Sequence, residues 1–198
     1  GRDLNETREI LDAANSANVA ITTYFNRKWD SDTLTLKRVI RDGYIGDVLR
    51  MDSRFERFRP TLNPQSWREN ISAAEGGGIL LDLQPHLIST AIDCFGPAQL
   101  KSARVRSVRG GADDDALLVL AHESGVESIL SASAVVGAPG PRMRVIGSEG
   151  ALVIQDLDPQ EDLLRAGVLP QDGKWNQPTA SAAFIHRGEK IEKFEADN

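Results

Sequence analysis

Between Leu100 and Val136 the chain alternates apolar and polar residues with a period of two, in stretches over 100–109, 115–122 and 126–136. That period places successive side chains on opposite faces of a strand. Glu123-Ser124-Gly125, the connection between the second and third stretches, is too short for anything but an antiparallel return. A sheet is therefore forced, and whatever else the chain does must cover one of its faces. The clearest single strand lies earlier, over 48–56: Leu49, Met51, Ser53 and Phe55 alternate with Arg50, Asp52, Arg54 and Glu56. One face belongs to a core and the other to solvent or a cleft. Two further hairpins are predicted. One joins Met143–Ile146 to Ala151–Ile154 around Gly147-Ser148-Glu149-Gly150, and the other joins Ala183–His186 to Lys190–Phe194 around Arg187-Gly188-Glu189. Ala116–Ala121 is apolar on both faces, which predicts a mid-sheet position with helices on one side and a second layer, such as another subunit, on the other.

Helical spacing appears elsewhere. Residues 5–17 predict an amphipathic helix capped by Asn5 or Thr7, with Ile10, Leu11 and Ala14 on its inner face, followed by a strand over 19–25. Such an α–β unit ordinarily belongs to a parallel sheet with earlier strands, and none precedes it here, so the strand is expected to be exposed, displaced or paired with a neighbouring molecule. A second helix, capped by Ser31 or Asp32, runs through Leu34, Leu36, Val39 and Ile40 to Asp42-Gly43. A short helix is expected after Pro159, and a polar loop over 167–182. Residues 57–75 have no strong period and carry Pro60, Pro64, Trp67 and mixed charges; a loop of that length is either functional or a surface segment pinned by its tryptophan.

The stretch 76–96 carries the chemistry. Three glycines open it, read here as a flexible turn, and Leu83, Leu87, Ala91 and Phe95 then fall four apart. Asp82, His86, Ser89 and Asp93 form a second stripe at spacings of four, three and four, a polar face without a long flexible charge, as suits a helix lining a cleft. A carboxylate one turn from an imidazole suits general acid–base work. Two plainer readings stand beside it: Asp82 as an N-cap, disfavoured by Pro85 at the position where a capping carboxylate seeks an N–H, and His86 as a half-buried structural histidine. If the helix starts at the glycines, a bend is expected at Pro85. A metal pair at this spacing lacks a third ligand, since His122 and His186 lie on unrelated segments, so no metal is expected.

Net charge is −6 over 198 residues, which speaks against nucleic acid or an anionic membrane surface as partner. No apolar run is long enough to span a bilayer, and a single cysteine fits a reducing cytoplasm. There is no G-x-G-x-x-G after a strand, no Walker loop and no G-x-S-x-G.

Phe25-Asn26-Arg27-Lys28-Trp29-Asp30-Ser31-Asp32 resembles the NRRWDSD signature of the Gfo/Idh/MocA oxidoreductases, and Gly76-Gly77-Gly78 followed by Asp82 and His86 resembles that family's GGGxxxDxGxH motif. Arg57-Phe58-Arg59-Pro60 and Gly147-Ser148-Glu149-Gly150 match further stretches, in the right order over nearly the whole chain. The resemblance implies an α+β fold with an open, largely antiparallel sheet and helices packed on one face. It implies that residues 1–25 are the last helix and strand of a dinucleotide-binding domain, that 26–198 form the substrate-binding and oligomerisation domain, and that the family's catalytic lysine and nucleotide fingerprint lie outside the chain. None of the six lysines here sits in such a motif. By the same resemblance His86 exchanges the substrate proton, Asp82 orients it, Asn26 and Arg27 line the cleft near cofactor and substrate, and Arg59 and Trp67 contribute to substrate binding. The implied cofactor is NAD or NADP in the full-length protein and none in this chain alone. The implied partners are a polyol, sugar or cyclitol substrate and a second copy docked through the sheet; a non-catalytic assembly module of the same fold is the alternative. Gln84 stands where the family usually has glycine, and Ser89 where aspartate is frequent. Gln84 is expected to alter how closely the helix approaches a ligand.

Overall fold

The computed structural model describes residues 1–173, 175 and 182–197. The elements in chain order are α1 (Leu4–Ser16), α2 (Ser31–Arg41), β1 (Val48–Glu56), α3 (Trp67–Asn70), α4 (Ile79–Asp82), α5 (Gln84–Phe95), β2 (Ala98–Arg106), β3 (Asp115–His122), β4 (Glu127–Ser133), β5 (Met143–Gly147), β6 (Ala151–Ile154), α6 (Gln160–Arg165), β7 (Ala183–Arg187) and β8 (Lys190–Phe194). A 3₁₀ turn over Asn26–Trp29 precedes α2. The eight strands form one sheet in the order β2-β3-β4-β1-β5-β6-β7-β8, antiparallel throughout except where β1 pairs parallel with β4.

The register shows how alternation builds the core. One row across the sheet aligns Leu118, Leu130, Ser53, Met143, Ile154 and Ala183, and every one of them is buried. Leu36 and Val39 of α2 and Leu87, Ala91 and Phe95 of α5 pack into the same cluster, so the helices lie on this face. The next row faces the other way and aligns Val119, Ile129, Asp52, Arg144 and Val153. There Asp52 is shielded by arginines, with Arg50 and Arg144 each at 3.3 Å and Arg54 at 3.8 Å. The α+β architecture expected from the sequence is the one observed. β3 is second from the edge, not mid-sheet, and Leu117 on its outer face is 42 % exposed.

Three local features bear on what the sequence implied. First, Val19–Phe25 forms no ladder among the described strands; it runs over the surface with Val19, Ile21 and Tyr24 exposed, the exposure expected of a strand without its sheet. Ile10 and Leu11 of α1 are exposed as well, and the helix is capped by Asp3, whose carboxylate accepts the Glu6 N–H at 2.9 Å. Second, the N-cap position of α2 is Asp30, whose side chain makes no capping hydrogen bond. Asp158 reaches across the fold and accepts the Ser31 N–H at 2.7 Å. Asp32 is buried against Arg142 at 2.8 Å; the Arg142 Nε–H does not point at the carboxylate, so the contact is an ion pair and not a hydrogen bond. Arg142 also donates to Ser53 Oγ at 2.6 Å and stacks on Phe55.

Third, the 76–96 stretch is two helices and not one. The chain turns at Leu83, between α4 and α5, and Pro85 occupies the first turn of α5, where its missing N–H costs nothing. The bend expected at Pro85 is realised two residues earlier as an interruption at Leu83, whose backbone stays in the right-handed helical region at φ −106° and ψ −36°. Gln84 fixes it. The side chain is completely buried and donates to the carbonyls of Ala116 on β3 at 2.9 Å and Leu130 on β4 at 3.1 Å. It faces the sheet, so it sets helix-to-sheet distance and does not line a ligand cleft. Two glycines of the triplet, Gly77 and Gly78, are tightly packed. A Cβ on Gly77 would lie 2.1 Å from the Ile71 carbonyl oxygen, and one on Gly78, at φ +94°, would lie 1.9 Å from the Asp113 carboxylate. The expected loop at 167–182 falls partly outside the described residues.

Gln84→Ala removes two buried hydrogen bonds and side-chain volume at the helix break, so it is expected to lower stability by about 2 kcal/mol. Denaturant unfolding measures it; an unchanged midpoint would show that the break holds without the amide.

Candidate active site

The broken helix aims its polar residues in two directions. Asp82, at the end of α4, lines a cleft of about 230 Å³ together with Leu83, Gly78 and side chains of the 57–75 loop. Pro85 and Ser89, on α5, line a second hollow with Phe25 and Lys28. His86, which follows Pro85, is in the lining of neither hollow. The ring is half-buried, packs edge-on against Phe25 with ring centroids 6.0 Å apart at 84°, and leaves Nδ1 shielded from solvent with no hydrogen-bond partner among the described residues. Asp93, the last member of the stripe, pairs with Lys37 at 2.5 Å instead.

Asp82 does not hydrogen-bond to His86. Its carboxylate accepts Arg68 Nε–H at 3.1 Å, and its side chain is 43 % exposed. The link between the two residues is one of charge. Burial pulls the His86 pKa below its ordinary 6.5, the nearby Arg27 guanidinium pulls it further, and the Asp82 carboxylate works the other way. The imidazole is consequently neutral at pH 7 and able to accept a proton.

Arg27 is held firmly for this purpose. It leaves the 3₁₀ turn and is clamped by Glu161 at 2.6 Å and Asp30 at 3.1 Å, with its guanidinium 5.7 Å from the Phe55 ring centroid. The hydrogen bond from Arg27 holds the Glu161 carboxyl below the usual carboxylate range. Burial pushes Asp30 up to about 6, against the opposing pull of Arg27.

Of the residues predicted for the site, Asp82 and Arg59 share the cleft. Asn26 and Arg27 lie on the turn that follows Phe25, beside His86. Trp67 is not part of the cleft lining; it is 52 % exposed, with the Arg68 guanidinium 4.6 Å from its ring centroid. Sequence reasoning missed Glu161, which comes from α6, and Phe25 as the ring against His86. It also missed Arg109, which braces the far wall through Asp114 at 2.8 Å and Glu69 at 2.9 Å. The Glu161–Arg27, Phe25–His86 and Arg109–Glu69 contacts span 134, 61 and 40 positions, so no local pattern signals them.

With this geometry in place, comparison with known proteins is informative. The sequence model of the GFO/IDH/MocA C-terminal domain matches residues 33–153. Scyllo-inositol 2-dehydrogenase (NADP(+)) IolW of Bacillus subtilis is 34% identical over 171 residues, covering 86% of this chain and 47% of that protein. This chain belongs to the Gfo/Idh/MocA family. The uncharacterized oxidoreductase YdgJ of Escherichia coli is 36% identical over 171 residues, covering 85% of the chain and 49% of YdgJ. A crystal structure from Klebsiella pneumoniae, of a protein described as an oxidoreductase, superposes with a TM-score of 0.81 at 30% identity, over 99% of this chain and 53% of that one. The chain thus spans about half the length of the curated relatives it matches. No helix among the described residues is long and apolar enough to cross a membrane.

The depressed His86 pKa has a definite sign. The neutral ring is favoured in the folded state, so its contribution to stability is present above pH 6.5 and is lost as pH falls through the lower folded value. An NMR titration of the three histidines, assigned with His86→Gln, should give a His86 midpoint below 6.5. Arg27→Gln should raise that midpoint and Asp82→Asn should lower it further. A midpoint at or above 6.5 in the unsubstituted protein would contradict the site's electrostatics.

Proposed function

We propose that this chain is the substrate-binding half of an NAD(P)-dependent oxidoreductase that oxidises or reduces a polyol, sugar or cyclitol, with His86 as the proton acceptor and donor. The observation that carries the reading is the His86 ring itself: neutral at pH 7, half-buried, with Nδ1 shielded and unpaired, packed against Phe25 and within reach of the Arg27 charge. With Nδ1 shielded, Nε2 is the ring nitrogen left to exchange a proton. Asp82 stabilises the imidazolium that forms, acting through space while Arg68 holds its carboxylate in place. Arg27 opposes that gain and keeps the resting ring neutral. The family and the 34% identity to an inositol dehydrogenase support the substrate class.

A nicotinamide cofactor, when bound, supplies or removes the hydride. Residues 1–25 are read as the end of the dinucleotide-binding domain, with Asn26 and Arg27 facing the cofactor from this side. The hollow formed by Phe25, Pro85, Ile88 and Ser89 fits an apolar ring edge approaching along α5. The outer sheet face, where Val119, Ile129 and Val153 surround the shielded Asp52, is read as the surface a second copy covers. The protein is expected to work in the cytoplasm, in keeping with its single cysteine.

In the full protein, His86→Ala should lower kcat about a hundredfold or more while leaving cofactor affinity unchanged. Steady-state kinetics beside cofactor titration make the comparison. Turnover within a few-fold of the unsubstituted enzyme would remove His86 from the reaction.

A further inference from the structure

Two carboxylates hold Arg27, and they come from parts of the chain with different freedom. The guanidinium is forked between them: Nη1–H donates to Asp30 Oδ2 at 3.1 Å and Nη2–H to Glu161 Oε2 at 2.6 Å. Asp30 ends the same 3₁₀ turn, three residues on, so it travels with Arg27 and cannot fix that side chain against the sheet. Glu161 stands on α6, which follows β6 of the sheet, 134 positions along the chain from Arg27. Its other oxygen accepts Arg165 Nη2–H at 2.5 Å, so the carboxylate is held at both oxygens.

A second contact ties the same two segments. Asp158, buried and three residues before Glu161, accepts the Ser31 N–H with one oxygen at 2.7 Å and the Gln160 N–H with the other at 2.8 Å. Residues 158–161 thus grip 27–31 twice, once at the backbone and once at the guanidinium. The two carboxylates on Arg27 also differ in how long they stay charged. Burial pushes Asp30 up to about 6, so its charge fades in mild acid. The hydrogen bond from Arg27 holds the Glu161 carboxyl below the usual carboxylate range, so its grip persists. The charges acting on His86 are Arg27, from the turn, and Asp82, from α4; Glu161 is not among them. Any influence of Glu161 on the ring therefore passes through Arg27.

We infer that Glu161 is a positioning residue: it fixes the Arg27 guanidinium near His86 and so maintains the neutral ring that accepts the substrate proton. The proton transfer rests on the oxidoreductase reading above; the clamp does not. Without Glu161, Arg27 keeps only Asp30, and the two side chains are free to move together. A guanidinium spread over several positions pulls on the ring less than one held in place, so the ring protonates more readily. Asp158 still holds the backbone at Ser31, which confines the change to the Arg27 side chain.

The test is a double-mutant cycle read by NMR titration of His86 in the full protein: unsubstituted, Glu161→Ala, Arg27→Gln and the double variant. Glu161→Ala should raise the His86 midpoint by about half of the rise that Arg27→Gln produces, and should add nothing once Arg27 is glutamine. Glu161→Gln, which can still accept the Arg27 hydrogen bond, should restore most of the lost shift. In the same protein Glu161→Ala should lower kcat/KM about tenfold, as expected when a group that governs the reacting ring is misplaced. A merely structural glutamate would move the unfolding midpoint and leave the His86 titration where it was. An unchanged His86 midpoint in Glu161→Ala would overturn the assignment, as would an equal shift with and without Arg27. The Glu161 side chain is exposed, which favours folding of the variants; should Glu161→Ala nonetheless fail to fold, Glu161→Asp, one methylene shorter, makes the same comparison. Turnover of His86→Ala separates the two levels. Coupling through Arg27 with turnover retained in His86→Ala supports the clamp and removes the reaction assigned to the ring. Turnover lost in His86→Ala without coupling removes Glu161 and leaves the oxidoreductase standing.

Discussion

The arrangement depends on one break in a helix. Had 79–95 run as a continuous α-helix, Asp82, His86, Ser89 and Asp93 would share one face and open on one cleft. Pro85 withholds an N–H and crowds the carbonyl four residues back, so the helix must restart. Gln84 decides where it restarts by anchoring the first turn of α5 to two strand carbonyls. The glycines upstream allow α4 to lie against Ile71 and Asp113 more closely than any side chain would permit. Asp82 is thereby turned into one cleft while Pro85, Ile88 and Ser89 face another, and the His86 ring packs against Phe25.

The electrostatics follow from that placement. Arg27, clamped by Glu161 and Asp30, presses a positive charge on His86 from one side, and Asp82 presses a negative charge from the other. Neither touches the ring through a hydrogen bond, so the balance can shift when a substrate displaces water or adds charge. Burial is the larger influence on the ring, which means a closing partner domain would press it further toward the neutral form.

The sheet was legible in the sequence because alternation and short glycine turns leave little freedom; Met51, Ser53 and Phe55 are buried as their period requires. The helical residues of the site were legible because their spacing is local. What failed was tertiary. The helix break was only half foreseen, since Pro85 signals a bend but the buried anchoring of Gln84 depends on strands more than thirty residues away. Val19–Phe25 has every mark of a strand and lacks a neighbour among the described strands to make it one. The partners of Asp82 and Arg27 are Arg68 and Glu161, and no spacing rule joins Arg27 to a residue 134 positions later. Charge pairing across a fold is not periodic, so it leaves no trace in a single sequence.

The central claim is that the helix break presents His86 to a reacting hydroxyl. A crystal structure of the full protein with cofactor and a polyol bound tests it most directly. The account predicts a substrate oxygen at about 2.6–3.2 Å from a ring nitrogen of His86. A ligand seated in the cleft with His86 still turned against Phe25 and no oxygen within reach would contradict it.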